Sequence, residues 1–250
     1  GKIIKEGLHT DRANAEKLKD LALYESMTSG AGKYITLKEY VDAMPESQDA
    51  IYYITGEKRE SVASSPALEY FRSKGYDVLF MTDPIDEWVM QSMFQYMKKS
   101  FKNISKGGFE DKEQEEKIKA DLAKYPKVVE FLKKELADTV SEVKFSALLT
   151  DSPCCLITDG QALAPHMERL FRAMNQNVPV SKRILELNGD HPLIAALEKK
   201  LSSGGEDVKL SKYAKMLYDQ ALLLEGSPIA DPAEFARNVV ELLSASLEEK

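Results

Sequence analysis

The chain has 250 residues, the length of one large domain or two modest ones. Its 34 Lys and Arg against 41 Asp and Glu leave a net charge of −7. The basic residues fall as scattered pairs, which argues against a nucleic-acid scaffold because neutralising phosphates needs a clustered excess.

In chain order, Asp11–Tyr24 carries Leu18, Leu21 and Leu23 among Lys and Asp and reads as a surface helix ended by the two glycines of Thr28–Lys33. Thr36 followed by Glu39 has capping-box spacing and opens a short helix that Pro45 limits. The β-branched and aromatic run Ile51–Thr55 reads as a buried strand. Helical sequence follows from Glu57 to Lys74, broken near Pro66 and stopped by Gly75, and a second strand is predicted over Tyr76–Met81. Strand, helix and strand in that order predict a parallel pair covered by helices. Asp83-Pro84 is expected to cap a helix reaching about Met97.

Ten of the fifteen residues of Glu110–Lys124 are charged, so this stretch reads as a charged helical linker. Beyond Tyr125 the pattern is helix (Lys127–Leu136), strand (Val143–Ser146), strand (Cys154–Thr158), helix from Pro165, strand (Arg183–Asn188) and helix from Pro192. Two long helices, Leu210–Glu225 and Pro232–Leu247, close the chain. The fold class is therefore α/β (α+β). A small α/β unit over 1–110 and a linker over 111–124 precede a mixed α/β domain over 125–250 that ends in a helical hairpin.

The catalytic inventory is poor. His9, His166 and His191 show no metal-ligand spacing. Cys154 and Cys155 are the only cysteines; adjacent cysteines cannot staple a fold, so a reducing cytosolic setting is expected. They lie in an apolar run that reads as a buried strand, where a thiol is inert. Gly30-Ala31-Gly32-Lys33 resembles the end of a phosphate-binding loop, but Met27 stands where Gly is needed and Tyr34 where Ser or Thr is needed. The longest apolar runs, Ala50–Ile54 and Leu193–Leu197, are too short to span a membrane, and no secretory signal opens the chain. No enzyme is read from these residues.

Three apolar patterns exceed what a simple core helix needs. Over Pro84–Met97 one stripe is Ile85, Trp88, Val89, Ser92 and Tyr96, and a second is Met90, Met93, Phe94 and Met97. Met167, Leu170, Phe171 and Met174 repeat the spacing of that second stripe, with Glu168, Arg169 and Arg172 on the wet side. Methionine-rich faces suit varied apolar partners, although the same stripes also fit ordinary core. On the closing hairpin, Phe235, Val239, Leu242, Leu243 and Leu247 form one stripe and Tyr213, Leu217, Ala221 and Leu224 another. A hairpin that buries one face on its own domain has apolar surface left for a second copy, and two hairpins make a four-helix bundle.

Specific stretches carry a family resemblance. Asp49-Ala50-Ile51-Tyr52-Tyr53-Ile54-Thr55-Gly56, Val78–Glu87 and Lys5-Glu6-Gly7 resemble the middle domain of the heat-shock protein 90 chaperones. Leu148–Pro153, Leu185–Asn188 with His191–Ile194, and Leu217–Leu223 resemble its C-terminal domain. The chain ends Glu248-Glu249-Lys250 without the acidic Met-Glu-Glu-Val-Asp tail, which makes it similar to the bacterial, HtpG-type members. The resemblance implies a fragment: the end of the middle domain plus the C-terminal dimerisation domain. The ATP-binding domain and the arginine loop would then lie before Gly1, so ATP and Mg belong to the full-length protein and the fragment itself has no cofactor and no ATPase activity. It further implies a cytoplasmic, homodimeric chaperone of the stress response whose partners are non-native client proteins and cochaperones, with no nucleic acid and no membrane.

By that resemblance Trp88 and Gln91 contact clients, as do Leu163, Met167, Leu170, Phe171 and, on the same stripe, Met174. Pro165 fits only the first turn of a helix, so Leu163 is expected to precede it. The dimer interface is expected to hold Leu217, Ala221, Leu224, Phe235, Val239, Leu242, Leu243 and Leu247. The alternative is a purely structural dimerisation module whose apolar stripes are all buried.

Overall fold

The computed structural model describes residues 1–11, 13–107, 112–160, 162–174, 176, 181–203 and 208–248, the side chains of 208, 209 and 248 aside. Residues 108–111, where the sequence suggests a domain boundary, and the terminal 249–250 lie outside the described residues. Two compact units form: Gly1–Phe109 with His166–Asn177, and Glu110–Pro165 with Val178–Lys250.

The first unit opens with helices α1 (Lys2–Thr10) and α2 (Ala15–Leu21), strands β1 (Leu23–Ser26) and β2 (Ile35–Thr36), and helix α3 (Leu37–Asp42). Next come β3 (Ile51–Thr55), α4 (Arg59–Ala63), a 3-10 turn at Pro66–Leu68, α5 (Glu69–Ser73) and β4 (Leu79–Met81). Helix α6 (Asp86–Met90) and strands β5 (Gln95–Tyr96) and β6 (Lys99–Asn103) complete this stretch. The sheet runs β2-β1-β4-β3-β6-β5. Strand β3 is parallel to both β4 and β6, Tyr53 facing Leu79 and Ile51 facing Phe101.

Both faces of this sheet are covered, which is why its central strands are apolar without alternation. Ile51, Leu79 and Met81 pack with Leu8, Tyr24, Leu37 and Val89 on one side. Tyr52, Ile54 and Phe80 pack with Val62, Leu68 and Phe71 on the other. The Thr36–Glu39 capping box is present, each side chain bonding the other residue's backbone N–H. Gly75 ends α5 in the left-handed region at φ 69°, where a side chain would be strained.

Two sequence expectations fail here. The helix expected to reach Tyr24 stops at Leu21, because Tyr24 and Ser26 are buried on β1, which pairs antiparallel with β4. The helix expected to reach Met97 stops at Met90, and the chain turns into the β5–β6 hairpin. Met93, Phe94 and Met97 therefore share no helical stripe: Met93 is buried while Phe94 is 73% exposed.

In the second unit α7 (Lys112–Lys124) and α8 (Pro126–Glu135) precede strands β7 (Val140–Ser146) and β8 (Cys154–Ile157). Helix α9 (Pro165–Ala173) follows; from His166 on it belongs to the first unit, not to the later one as its place in the sequence suggests. Strand β9 (Arg183–Asn188) and helices α10 (Pro192–Ser202), α11 (Val208–Glu225) and α12 (Pro232–Glu248) complete the second unit. Its sheet runs β7-β9-β8, with β7 and β9 parallel and β8 antiparallel to β9. Val143, Phe145, Cys154, Leu185 and Leu187 form the core with Leu132, Ile194, Leu217 and Ala221 of the flanking helices. The charged stretch is helical, and Ile118 of α7 packs on this core.

Candidate functional site

The chemistry-bearing residue types are used structurally. The Nδ1 atom of His191 accepts from Leu193 N at 3.1 Å and caps α10, with Pro192 in its first turn. Asn188 donates its side-chain amide to Ser152 O at 3.0 Å and accepts from Asp190 N at 3.1 Å, tying β9 to the turn before β8. Cys154 is buried, and burial pushes its thiol up to about 12, which leaves it inert near neutrality. In the Gly30–Lys33 loop, Gly32 N donates to Glu25 Oε1 at 2.7 Å, so a carboxylate of the chain already takes the amide that a phosphate would need. No group of His, Cys, Asp and Glu among the described residues is arranged to hold a metal ion. These residues do not fit a nucleotide and its magnesium.

The most organised surface is built on α6. Asp86 is fully buried at its start and accepts from Lys5 Nζ at 3.0 Å and Asp83 N at 3.0 Å. Lys5 also meets Asp83 at 2.8 Å and sits 4.5 Å above the Tyr24 ring. Burial raises the Asp86 carboxyl above its ordinary value, and the Lys5 charge opposes that rise. The same burial raises the Tyr24 hydroxyl. This cluster pins the helix N-terminus, and two residues on Trp88 is held half-buried between rings. His9 lies on one side at 6.2 Å between centroids and Phe171 meets it edge-on at 6.2 Å and 81°. Gln91, at the end of α6, is exposed and lines with Trp88, Leu8, His9 and Phe94 a groove of about 600 Å³.

Helix α9 brings further sequence-predicted residues to this unit. Met167 and Glu168 are each 3% exposed, which corrects the reading of Met167 as part of an outward stripe and of Glu168 as part of the wet side. Phe171 is half-buried against Trp88, whereas Leu170 and Met174 face solvent at 41% and 60%. Leu163 precedes the helix, outside the segment that joins the first unit, and is exposed. Sequence periodicity missed the ionic contacts of α9: Arg169 donates Nε and Nη2 to Glu57 Oε1 at 3.0 and 2.8 Å, and His166 Nε2 lies 3.4 Å from Glu87. Burial holds the His166 imidazole below its ordinary value, with Glu87 pulling the other way.

The second candidate surface is the α11–α12 hairpin. Leu217 and Ala221, assigned from the sequence to the dimer interface, are instead in the core of their own unit, because that face of α11 lies on β8: Cys154 Sγ is 3.6 Å from Leu217 O. Leu224 is half-buried. Among the described residues, none of α12 joins that core. Phe235, Val239 and Leu242 line an apolar groove of about 570 Å³ with Leu197, Tyr213 and Met216. Leu243 and Leu247 are 59% and 79% exposed, and Val240 is exposed as well. Ion pairs Lys212–Glu241 at 2.8 Å and Lys215–Glu234 link the two helices.

Comparison with known proteins identifies a family. A family described as "Hsp90 protein" matches residues 1–250. Proteins named "Chaperone protein HtpG" from Geobacter sulfurreducens and Geobacter metallireducens are each 49% identical over 251 residues, covering 98% of this chain. The protein of that name from Mycobacterium leprae is 42% identical over 257 residues, covering 99%. The chain spans 39% of the length of each of these relatives.

Proposed function

The chain belongs to the Hsp90 family, and from that premise we propose that it is the client-handling and dimerising part of a molecular chaperone. In this reading residues 1–110 are the end of the middle domain, 111–124 a connecting helix, and 125–250 the C-terminal dimerisation domain, whose segment His166–Asn177 joins the first compact unit. The observation that carries it is the surface around Trp88. An aromatic ring on an anchored helix lines a groove with the exposed Phe94, and it meets Phe171 of α9, the helix region that also carries the exposed Leu170 and Met174. A contiguous exposed apolar patch marks an interaction site for apolar segments. Non-native clients expose such segments. Trp88, Gln91, Leu170, Phe171 and Met174 are the proposed contacts, the buried Met167 supports the helix that carries Leu170 and Phe171, and Leu163 is a separate candidate on the other unit. The setting is cytoplasmic.

Dimerisation is proposed through α12. Burying Val240, Leu242, Leu243 and Leu247 on both copies would contribute roughly 12–24 kcal/mol gross at most, since these side chains are 38–79% exposed to begin with. That offsets an association cost of about 4–15 kcal/mol, and Phe235 and Val239 of the groove extend the seam, with Leu224 beside them. Leu217 and Ala221 support it from the core. ATP hydrolysis is assigned to other parts of a whole family member, and calorimetry of this chain with ATP and magnesium should detect no micromolar binding.

The test is suppression of light scattering by a thermally unfolding enzyme. The chain at equimolar concentration should slow aggregation, and Trp88→Ser should lose most of that effect with an unchanged melting temperature. Equal protection by the variant would reject the Trp88 surface.

A further inference from the structure

Two apolar residues beyond α6 are left outside every core. Phe94 is 73% exposed and Met97 is 54% exposed, while Met93 and Tyr96 between and beside them are buried. Met97 stands in the two-residue turn between the paired Tyr96 and Lys99, where Met97 and Lys98 both have positive φ. Asn-Gly or Asp-Gly fits such a turn without strain, so Met97 sits where local preference disfavours it and where the fold gains little from its side chain. An outlier of that kind points to a use outside the fold. The surroundings say what use. Phe94 and Trp88 line the groove of about 600 Å³, and Met97 lines a second groove of about 730 Å³ with Thr36 and Lys17. Glu16 lines both. Its side chain is 84% exposed, and the buried Lys19 meets Oε1 at 2.7 Å before reaching Gln95 O at 3.2 Å. Around the second groove Asp20 accepts from the Tyr96 hydroxyl at 2.5 Å, Lys38 pairs with Asp42 at 2.5 Å, and Lys17 is exposed. The junction of the grooves therefore carries an exposed carboxylate with an apolar end on either side.

We propose that the Trp88 surface continues past Glu16 to Met97 and takes an extended, non-native segment in the order apolar, cation, apolar. One apolar side chain lies on Trp88 and Phe94, the cation meets Glu16, and the second apolar side chain covers Met97. Alternate residues of an extended chain share a face at about 7 Å intervals, so the three groups stand at every second position of the segment. An acidic residue in the middle place would set like charges against each other at Glu16. The inference rests on reading Trp88 as a capture surface and adds the charge and spacing of what is captured. Glu16 and Met97 are the residues that set this specificity.

The probe is a fluorescein-labelled peptide, Ser-Phe-Ser-Arg-Ser-Phe-Ser, which reads the same in both directions, titrated into the 250-residue chain and followed by anisotropy. The wild-type chain should bind it saturably. Met97→Asn combined with Lys98→Gly installs the favoured turn. It should bind the peptide at least about fivefold more weakly while unfolding at a higher denaturant concentration, so that lost binding is not lost fold. Lys98→Gly alone, and Met97→Leu with Lys98→Gly, keep an apolar side chain and should bind within about twofold of wild type. With Glu in place of its Arg, the peptide should bind the wild-type chain at least about fivefold more weakly, and that preference should disappear in Glu16→Gln. Wild-type affinity in the Met97→Asn, Lys98→Gly chain, or an unchanged charge preference in Glu16→Gln, would overturn the proposal. So would a lower sedimentation mass for that double variant, which would make Met97 a contact between copies. The Trp88 reading is judged separately. If Trp88→Ser loses the peptide and the double variant does not, or if the wild-type chain suppresses aggregation without binding the peptide, only the extension fails. If the double variant loses the peptide and Trp88→Ser does not, the Trp88 reading fails and the Met97 contact stands.

Discussion

Lys5→Met tests the anchor that positions Trp88. Asp86 has no solvent exposure, and the Lys5 side chain is 4% exposed with its Nζ 2.9 Å from Asp86 Oδ1. Removing one partner of a buried pair costs about 3–5 kcal/mol, because the remaining charge keeps its desolvation penalty. Asp83, 29% exposed, regains water and adds little, so the estimate sits near the lower end, about 3 kcal/mol. The sign with pH follows from the carboxyl. Asp86 already titrates above its ordinary value through burial, and losing Lys5 raises it further. The penalty is full above that raised value and vanishes below the unfolded one, where both states are protonated. The destabilisation by Lys5→Met should therefore shrink as pH falls towards the ordinary carboxylate range. Urea unfolding followed by Trp88 fluorescence measures both. A loss below 1 kcal/mol at neutral pH, or one that grows on acidification, would refute the reasoning.

A Cβ on residue 189 would collide with the Asp121 carboxylate, so Gly189→Ala should cost about 1–3 kcal/mol in thermal unfolding, with Asp121→Ala in the same chain restoring most of it. Met97 and Lys98 form the β5–β6 turn at φ 46° and 64°, a conformation costly for such side chains; Met97→Asn with Lys98→Gly should raise stability by about 1 kcal/mol in a denaturant titration. Thr36→Ala removes the α3 cap and should cost about 1 kcal/mol. The hydrogen bonds from Thr36 hold Glu39 below its ordinary value, so the cap contributes above the unfolded Glu value and is lost as pH falls through the folded one. Sedimentation equilibrium at micromolar concentration should give twice the 28.0 kDa chain mass, and Leu243→Glu should shift it towards monomer.

Long periodic segments and compact apolar runs were legible in the sequence. Ile51–Thr55, Arg183–Asn188, the parallel β3–β4 pair and the helices from Pro165, Pro192 and Pro232 stand where patterning places them. The overextended α6 shows the limit of periodicity. Residues 90–97 repeat at helical spacing, but the turn that ends the helix uses Met97 and Lys98 in left-handed backbone and carries no Gly, Asn or Pro signal. A stripe also reveals that a face is apolar without naming what covers it. Leu217 and Ala221 are covered by their own sheet, and Phe171 by a tryptophan 83 positions away in the chain, an association fixed only by tertiary packing. The ionic contacts of α9 were illegible for the same reason.

The central claim, that non-native chains are captured at the Trp88 surface, is tested most directly by the emission of that single tryptophan. Titration with a permanently unfolded polypeptide lacking tryptophan should change Trp88 emission saturably, at the same concentrations at which the two proteins co-migrate on size exclusion. Co-migration with no change in Trp88 emission or quenching would place capture elsewhere and contradict the account.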